Sequence, residues 1–107
     1  PAVFHILLAL ADQERHGYGI MQEVAAMTRD KIQMGPGTLY GTIKRMLAAQ
    51  LIEESDERPD PAMDDERRRY YRLTGWGQQV LAAETQRLSA LVQVAQTKKL
   101  LGPTGVI

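Results

Sequence analysis

The period of the apolar residues changes twice along this chain of 107 residues, and the positions of these changes limit the fold more than any other feature. Up to residue 50, apolar residues recur at the spacing of one helix face. Two short runs that suit strands follow, and a long stretch with helical spacing comes after them. The pattern predicts three short helices, two strands and a long helix, at residues 2–11, 18–28, 37–50, 51–55, 68–73 and 74–101.

Turn and cap residues support these bounds. Residues 35–38 read Gly-Pro-Gly-Thr, a turn that can start the third helix. Residues 56–67 contain two prolines and suit a long hairpin loop. Thr74 can cap the N-terminus of the last helix, and the Gly-Pro pair at 102–103 is typical of a helix end. The connector before the third helix leaves room for a minimal strand at 31–33.

Three helices followed by a two-stranded hairpin are the element order of a winged helix-turn-helix, in which the third helix enters the DNA major groove. We therefore expect a fold that is mainly α with a small β-hairpin and a long C-terminal dimerisation helix. A generic α+β domain with the same order is the alternative. The DNA-binding interpretation is favoured because residues 31–50 carry three basic residues and no carboxylate. Residues 1–73 would form the DNA-binding domain, and residues 74–107 the dimerisation helix with a short tail, in one structural unit.

The residue types that are absent or rare exclude several classes of protein. The chain has no cysteine, which excludes disulfides and thiolate metal sites and fits a reducing cytoplasm. Its two histidines cannot complete a nucleophile, a base and an orienting group, so we expect neither catalysis nor a cofactor. The acidic run at 64–66 is expected to be solvated rather than a metal site, because adjacent loop residues rarely converge on one ion. No run of about 18 apolar residues is present, so no membrane span is expected.

The formal net charge is zero, so the distribution of charge bears on a nucleic-acid partner more than the sum does. Residues 53–66 are mostly acidic, whereas residues 67–72 contain four arginines and no acid. Local fields of this kind can attract phosphate even when the molecule as a whole is neutral.

The predicted last helix carries an apolar stripe with near-heptad spacing at Leu81, Leu88 and Ala95. At about 1.5 Å per residue it would be about 40 Å long, which is more than a compact domain of this size can cover. The first helix is apolar almost all round, which is typical of a helix in a core or an oligomer interface. We expect both helices to form a homodimer interface; the alternative is a last helix that folds back on its own domain. The predicted interface residues are Phe4, Leu7, Leu8, Leu81, Leu88, Leu91, Val92 and Ala95.

The third helix is expected to read DNA. Its polar face carries threonines, which can contact base edges, and basic residues, which can hold phosphate. A solvated helix face is the alternative, and the position of the helix in the motif outweighs it. The candidate reading set is Thr38, Thr42, Lys44 and Arg45, with Lys31 and Gly37 beside it.

The arginines that follow the predicted loop are expected to contact phosphate or a narrow minor groove, because guanidinium suits both. The alternative is that they pair with the carboxylates at 64–66 across the loop. The residues concerned are Arg67, Arg68 and Arg69.

Several segments of the chain resemble the PadR family of bacterial transcriptional regulators. They are His16-Gly17-Tyr18-Gly19-Ile20, Gly37-Thr38-Leu39-Tyr40, Leu51-Ile52-Glu53-Glu54 and Arg69-Tyr70-Tyr71-Arg72-Leu73-Thr74. The resemblance covers nearly the whole chain and implies a homodimeric winged helix, usually a repressor, that binds palindromic promoter DNA. It allows for a small-molecule effector near the dimer interface, although no residue identifies one. Two segments depart from the family: Gln50 stands where glycine is common, and Gly75-Trp76-Gly77 replaces a commoner acidic pair before glycine.

The resemblance places Tyr18 at the start of the second helix and Tyr40 in the third, both facing DNA. The alternative is that each ring packs at the edge of the core with its hydroxyl outward. Tyr70 and Tyr71 alternate across a strand, so one should lie in the core and the other outside.

The sequence therefore predicts a cytoplasmic transcriptional regulator that binds double-stranded promoter DNA as a homodimer and is usually a repressor. The alternative is a helical protein-interaction module on a winged-helix scaffold that no longer binds DNA. The acidic stretch at 53–66 is the feature that favours this alternative.

Overall fold

The computed structural model describes residues 1–55 and 69–98. Its elements confirm the predicted succession of helices and strands and add one short strand before the second helix. The predicted loop at 56–67 and the Gly-Pro pair at 102–103 lie outside the described residues. The last helix already ends at Thr97, four residues before the predicted bound at 101. The elements are α1 (Ala2–Ala9), β1 (Arg15–His16), α2 (Gly17–Met27), α3 (Pro36–Ala48), β2 (Ile52–Ser55), β3 (Tyr70–Leu73) and α4 (Gly75–Thr97).

The strands form one antiparallel sheet in the order β1, β3, β2. Strand β2 pairs with β3 from Ile52 opposite Leu73 to Ser55 opposite Tyr70. The sequence did not predict β1, because a strand of two residues has no period to recognise. The strand forms where Arg15 and His16 pair with Tyr71 and Tyr70 of β3, and the Arg15 side chain is held on several sides. Its Nε donates to the Ala9 carbonyl at 2.7 Å, and its guanidinium pairs with Glu23 at 2.9 Å and with Asp12 at 3.2 Å.

The predicted minimal strand at 31–33 is wrong. The structure assigns no strand to these residues. The Ile32 N–H donates instead to Thr28 Oγ1 at 3.1 Å, and that hydroxyl donates to the Val24 carbonyl at 2.8 Å. The donor that a strand would use is therefore satisfied by the end of α2.

The turn between α3 and β2 contains a residue in the left-handed region. At the C-terminus of α3, the Gln50 N–H donates to the Leu47 carbonyl and the Leu51 N–H donates to the Met46 carbonyl, both at 3.0 Å. This is the Schellman motif, in which the residue after the C-cap is usually glycine. Gln50 occupies that position with a φ of 61°. The departure from the family at Gln50 therefore falls where the backbone favours glycine.

The core lies between α1, α2, α3, the sheet and the first turns of α4. Tyr71 lies in the core, as predicted for one of the two tyrosines of this strand. Tyr70 is half-buried rather than fully outside. The buried apolar residues are Ile6, Leu7, Ala9, Leu10, Ile20, Val24, Leu39, Ile43, Met46, Ile52, Tyr71 and Leu81.

The start of α4 is fixed against the end of α3. Thr74 Oγ1 accepts the Gly77 N–H at 2.9 Å, which confirms the predicted cap, and donates to the Gln50 carbonyl at 2.6 Å. A side chain at position 77 would collide with the Leu51 carbonyl, so only glycine lets α4 begin this close to β2. Within the described residues, no helix is both long and apolar enough to cross a membrane.

Two members of the predicted dimer interface lie in the core of the single chain, so their assignment is wrong. Leu7 and Leu81 are buried where α1 packs against the first half of α4. Helix α1 thus has a partner within its own chain. The other predicted interface residues remain accessible to different degrees: Phe4 and Ala95 are half-buried, and Leu8, Leu88, Leu91 and Val92 are exposed.

Candidate nucleic-acid interface

Helix α3 presents a polar face to solvent because its apolar residues recur every three or four positions on the opposite side. Leu39, Ile43 and Met46 are buried and fix the helix against the core. The exposed residues of the predicted surface on this helix are Gly37, Thr38, Tyr40, Lys44 and Arg45. Lys31 is also exposed and lies on the connector that leads to the helix.

Thr42 does not belong to that exposed face, and its predicted place in the reading set is wrong. Thr42 is completely buried. Its Oγ1 donates to the Thr38 carbonyl at 2.8 Å, so the hydroxyl lies along its own helix. The helical spacing of 42 from 39 and 46 places it on the border of the apolar stripe, and the core covers that border.

Arg45 lies along the surface of α3. Its Nη2 donates to Thr42 Oγ1 at 3.1 Å. Its Nη1 passes close to Gly41, where a Cβ would lie 3.8 Å from it. The guanidinium is therefore held over the small residue at 41 by the buried hydroxyl at 42.

A groove of about 540 Å³ runs between the start of α2, the exposed side of α3 and the sheet. The side chains of Tyr18 and Tyr40, which are 58% and 49% exposed, stand in its walls with Lys44. Within residues 1–55 and 69–98, Lys44 makes no salt bridge. Tyrosine hydroxyls and an ammonium group are donors that phosphate oxygens accept.

Gly17 allows Tyr40 to take its position in this groove. A Cβ on Gly17 would collide with the hydroxyl and the ring of Tyr40, so the absence of a side chain makes room for the ring. Tyr71 lies deeper in the same groove. Burial raises the pKa of Tyr71 above its ordinary value, and the nearby Glu54 and Tyr40 raise it further. Its hydroxyl therefore stays protonated over the whole physiological range.

His16 caps α2, a role that the sequence did not predict. Its Nδ1 accepts the Gly19 N–H at 3.1 Å, so that nitrogen carries no proton. Its ring is stacked on the ring of Tyr18, with 6.5 Å between the ring centroids, and packs edge-on against the ring of Tyr70, with 5.3 Å between the centroids. His16 thus joins the first turn of α2 to the sheet and orders the tyrosine that faces the groove.

The two described basic residues of the hairpin differ from those of α3 because they are paired with carboxylates. Arg69 Nη1 lies 2.8 Å from Glu54 Oε1, and Arg72 Nε lies 2.8 Å from Glu53 Oε2. Glu54 also raises the pKa of Arg69 through this hydrogen bond. The sequence allowed for internal pairing, but with carboxylates of the loop rather than of β2. Arg67 and Arg68 lie outside the described residues.

The described residues hold no group of three or more histidine, aspartate and glutamate side chains that could bind a metal ion. The donors that converge on the groove are hydroxyl, ammonium and guanidinium groups. Such a set can bind an anionic polymer.

Comparison with known proteins agrees with this geometry. Residues 6–83 match the model of the transcriptional regulator PadR-like family. The chain is 36% identical over 89 residues to the transcriptional regulator Rv3488 of Mycobacterium tuberculosis, a match that covers 83% of this chain and 77% of the relative. It is 33% identical over 86 residues to an uncharacterized 37.1 kDa protein of the Streptomyces fradiae transposon TN4556, of which it spans only 22%.

A solved structure confirms the predicted fold class. A PadR family transcription regulator from Clostridium difficile superposes with a TM-score of 0.71 at 25% identity, over 90% of this chain and 95% of that chain. The fold is thus a winged helix, mainly α with a small antiparallel sheet. In a winged helix, the helix at the position of α3 is called the recognition helix, and the hairpin at the position of β2–β3 is called the wing.

Proposed function

Because this chain belongs to the PadR-like family of transcriptional regulators, we propose that it binds promoter operator DNA as a homodimer and acts there as a repressor. Members of the family are transcriptional regulators that bind DNA, not enzymes, as the sequence predicted. We expect the protein to act in the bacterial cytoplasm, bound to the chromosome.

The exposed face of α3 is the observation that carries this proposal. Thr38 and Gly37 lie at the start of the helix, where recognition helices contact base edges. Lys44 and Arg45 follow on the same exposed surface, and the segment 31–50 contains no carboxylate that would repel phosphate. The groove beside the helix adds the hydroxyls of Tyr18 and Tyr40 as donors to the DNA backbone.

The homodimer is supported by the second half of α4. Leu88, Leu91 and Val92 are exposed large apolar side chains on this helix; Val94, which was not among the predicted interface residues, is also exposed. Burial of one such side chain contributes about 1.5–3 kcal/mol, so several together can hold a dimer. Two recognition helices related by a two-fold axis would then occupy successive major grooves about 34–36 Å apart. The two-fold symmetry calls for a palindromic operator, and bound protein would block the promoter.

Titration of the protein against a DNA fragment from upstream of its own gene tests the proposal. We expect saturable binding at low salt that survives an excess of unrelated DNA, and footprinting should show two symmetric half-sites. Binding that disappears with competitor DNA would instead support the protein-interaction module. Glu53 and Glu54, the two carboxylates of the acidic stretch at 53–66 that are described, are already paired with arginines, so these two residues offer that alternative little support.

The dimer is tested by placing charge in the α4 stripe. The double variant Leu88→Glu, Leu91→Glu should sediment as a folded monomer and lose operator binding, because one half-site alone makes few contacts and the linked partner supplies the second at high effective concentration. Gln86→Glu with Gln93→Glu, on the opposite face of the same helix, is the matched control and should remain dimeric. A folded monomer that binds the full operator as tightly as the parent would contradict the proposal that DNA binding requires the dimer. A ligand that changes the angle between the two α3 helices would act as an effector.

A further inference from the structure

We propose that Thr42, although buried, is a positioning residue for DNA binding: it holds the guanidinium of Arg45 so that its remaining donors face a backbone phosphate. The inference rests on the proposed function, because it requires α3 to lie on DNA. It gives Thr42 a role different from the direct contact that the sequence predicted.

The first step is the geometry of the hydroxyl. Thr42 Oγ1 donates its only proton to the Thr38 carbonyl at 2.8 Å, so its lone pairs point away from that carbonyl. One of them accepts Arg45 Nη2 at 3.1 Å. The hydroxyl therefore acts as a fixed acceptor, because the buried side chain cannot turn away from its own helix.

The second step is the position of the guanidinium. Arg45 is exposed, and its Nη1 lies over Gly41, where no side chain pushes it outward. One N–H of the planar fork is committed to Thr42, and within the described residues no other hydrogen bond or salt bridge uses the remaining N–H groups. A guanidinium held in this way can bind one phosphate through two parallel hydrogen bonds.

The third step is the choice of phosphate rather than a base. Arg45 lies more than two turns into α3, which begins at Pro36, and base edges are read mainly by the first residues of such a helix. An arginine further along the helix meets the DNA backbone, where it sets register and affinity but reads no sequence. Fixing its long side chain before binding removes part of the entropy that association otherwise costs.

The isosteric variant Thr42→Val isolates the hydroxyl. The fold should tolerate it, because the Thr38 carbonyl still accepts the helical N–H of residue 42 and valine has a similar volume. We expect operator affinity to fall about fivefold, equally for all operator variants, since only the pre-ordering of one contact is lost. The slope of affinity against salt should stay unchanged, because no charge is removed. Thr42→Ser keeps the hydroxyl and should restore affinity.

Arg45 variants decide whether Thr42 acts through this side chain. Arg45→Ala should lower the salt slope by about one unit, and adding Thr42→Val to it should cost nothing further. Arg45→Lys keeps the charge but has no fork, so it should lose affinity as Thr42→Val does, and it leaves the buried position intact. The proposal is overturned if Thr42→Val or Arg45→Lys binds as the parent does, or if Thr42→Val costs as much in the Arg45→Ala background.

A measurement without DNA separates this inference from the proposed function. The NMR order parameter of the Arg45 Nε–Hε bond should be high in the parent and in Thr42→Ser, and low in Thr42→Val. Should the parent bind no DNA, the proposed function fails, while the order parameter still shows whether the hydroxyl fixes the arginine. Equal order parameters in all three proteins would overturn the positioning role by themselves.

Discussion

The exposed face of α3 and the described part of the hairpin both carry basic residues, but only those of the hairpin are paired with carboxylates. On α3, Lys44 makes no salt bridge within the described part of the chain, and Arg45 bonds only to an uncharged hydroxyl. On the hairpin, Arg69 and Arg72 are paired with carboxylates one strand away at 2.8 Å. A paired guanidinium has less to gain from a phosphate, because contact with DNA must replace an existing bond.

This difference shows why a net charge of zero does not exclude DNA binding. The carboxylates are concentrated where arginines can meet them, and residues 31–50 are kept free of acid. The local charge on α3 is therefore what a phosphate encounters first. The hairpin is predicted to contribute less per cation than the helix, and the following variants test that ranking.

Charge reversal should have the largest effect, and it should be unequal in the two regions. Lys44→Glu places a carboxylate on the acid-free surface, so we expect operator affinity to fall roughly hundredfold at low salt. Arg69→Glu faces Glu54 and loses a cation that was already paired, so its cost should be several times smaller. Lys98→Glu, at the end of α4, is the control for net charge. Equal losses at 44 and 69 in salt-dependent titrations would contradict the ranking.

Displacing Tyr40 should have a smaller effect that involves no change of charge. Gly17→Ala would drive a methyl group into the Tyr40 hydroxyl and ring, and the outer end of that side chain can swing away without unfolding the domain. We expect affinity to fall about fivefold, the cost of one phosphate contact, with little change in the unfolding midpoint. Gly19→Ala is the matched control, because its Cβ would meet ordinary contacts at 3.6 Å. A loss of affinity as large for Gly19→Ala would show that the start of α2, rather than Tyr40, is responsible.

Removing one carboxylate from the groove should produce a small gain. Glu54→Gln keeps the shape of the side chain, releases Arg69 from its charged partner and removes a negative charge beside Lys44 and Tyr40. We expect affinity to rise about threefold at low salt and the gain to vanish at high salt, because exposed charges are screened. Glu53→Gln, which removes one of the carboxylates paired with Arg72, lies outside this groove and should change affinity less. No gain in low-salt titrations would mean that Glu54 does not oppose the phosphate.

The order of elements could be predicted because it follows from periodicity and cap residues. Thr74 caps α4 as its position before a helical run indicated. The recognition helix was placed to within a residue or two at each end for the same reason. Such features depend on neighbours along the chain, and a sequence displays those directly.

The errors concern contacts between residues that are distant in the chain or lie on the border of a helix face. Thr42 looked exposed because a threonine at that spacing can fall on either side of an apolar stripe, and only the packing of the core decides. The pairing of Arg69 with Glu54 joins two strands across a long loop, so the sequence could not select that carboxylate among its neighbours. Leu7 and Leu81 were predicted to lie in a dimer interface because the helices that bury them lie far apart in the sequence. Leu7 is on α1 and Leu81 on α4, more than seventy positions apart.

The junction between the two regions offers the last test, in which stability should change and DNA affinity should not. Gln50 links α3 to β2 with a φ of 61°, a conformation that costs an L-residue about 1 kcal/mol and glycine almost nothing. We expect Gln50→Gly to increase the free energy of unfolding by somewhat less than about 1 kcal/mol, since glycine also gains entropy in the unfolded chain. Chemical denaturation measures this change, and Gln33→Gly, at an exposed position without a positive φ, is the control and should not stabilise. Because the side chain at 50 lies outside the α3 groove, operator titration should give the parental affinity. A destabilised Gln50→Gly variant would mean that the amide side chain contributes more than the backbone strain costs.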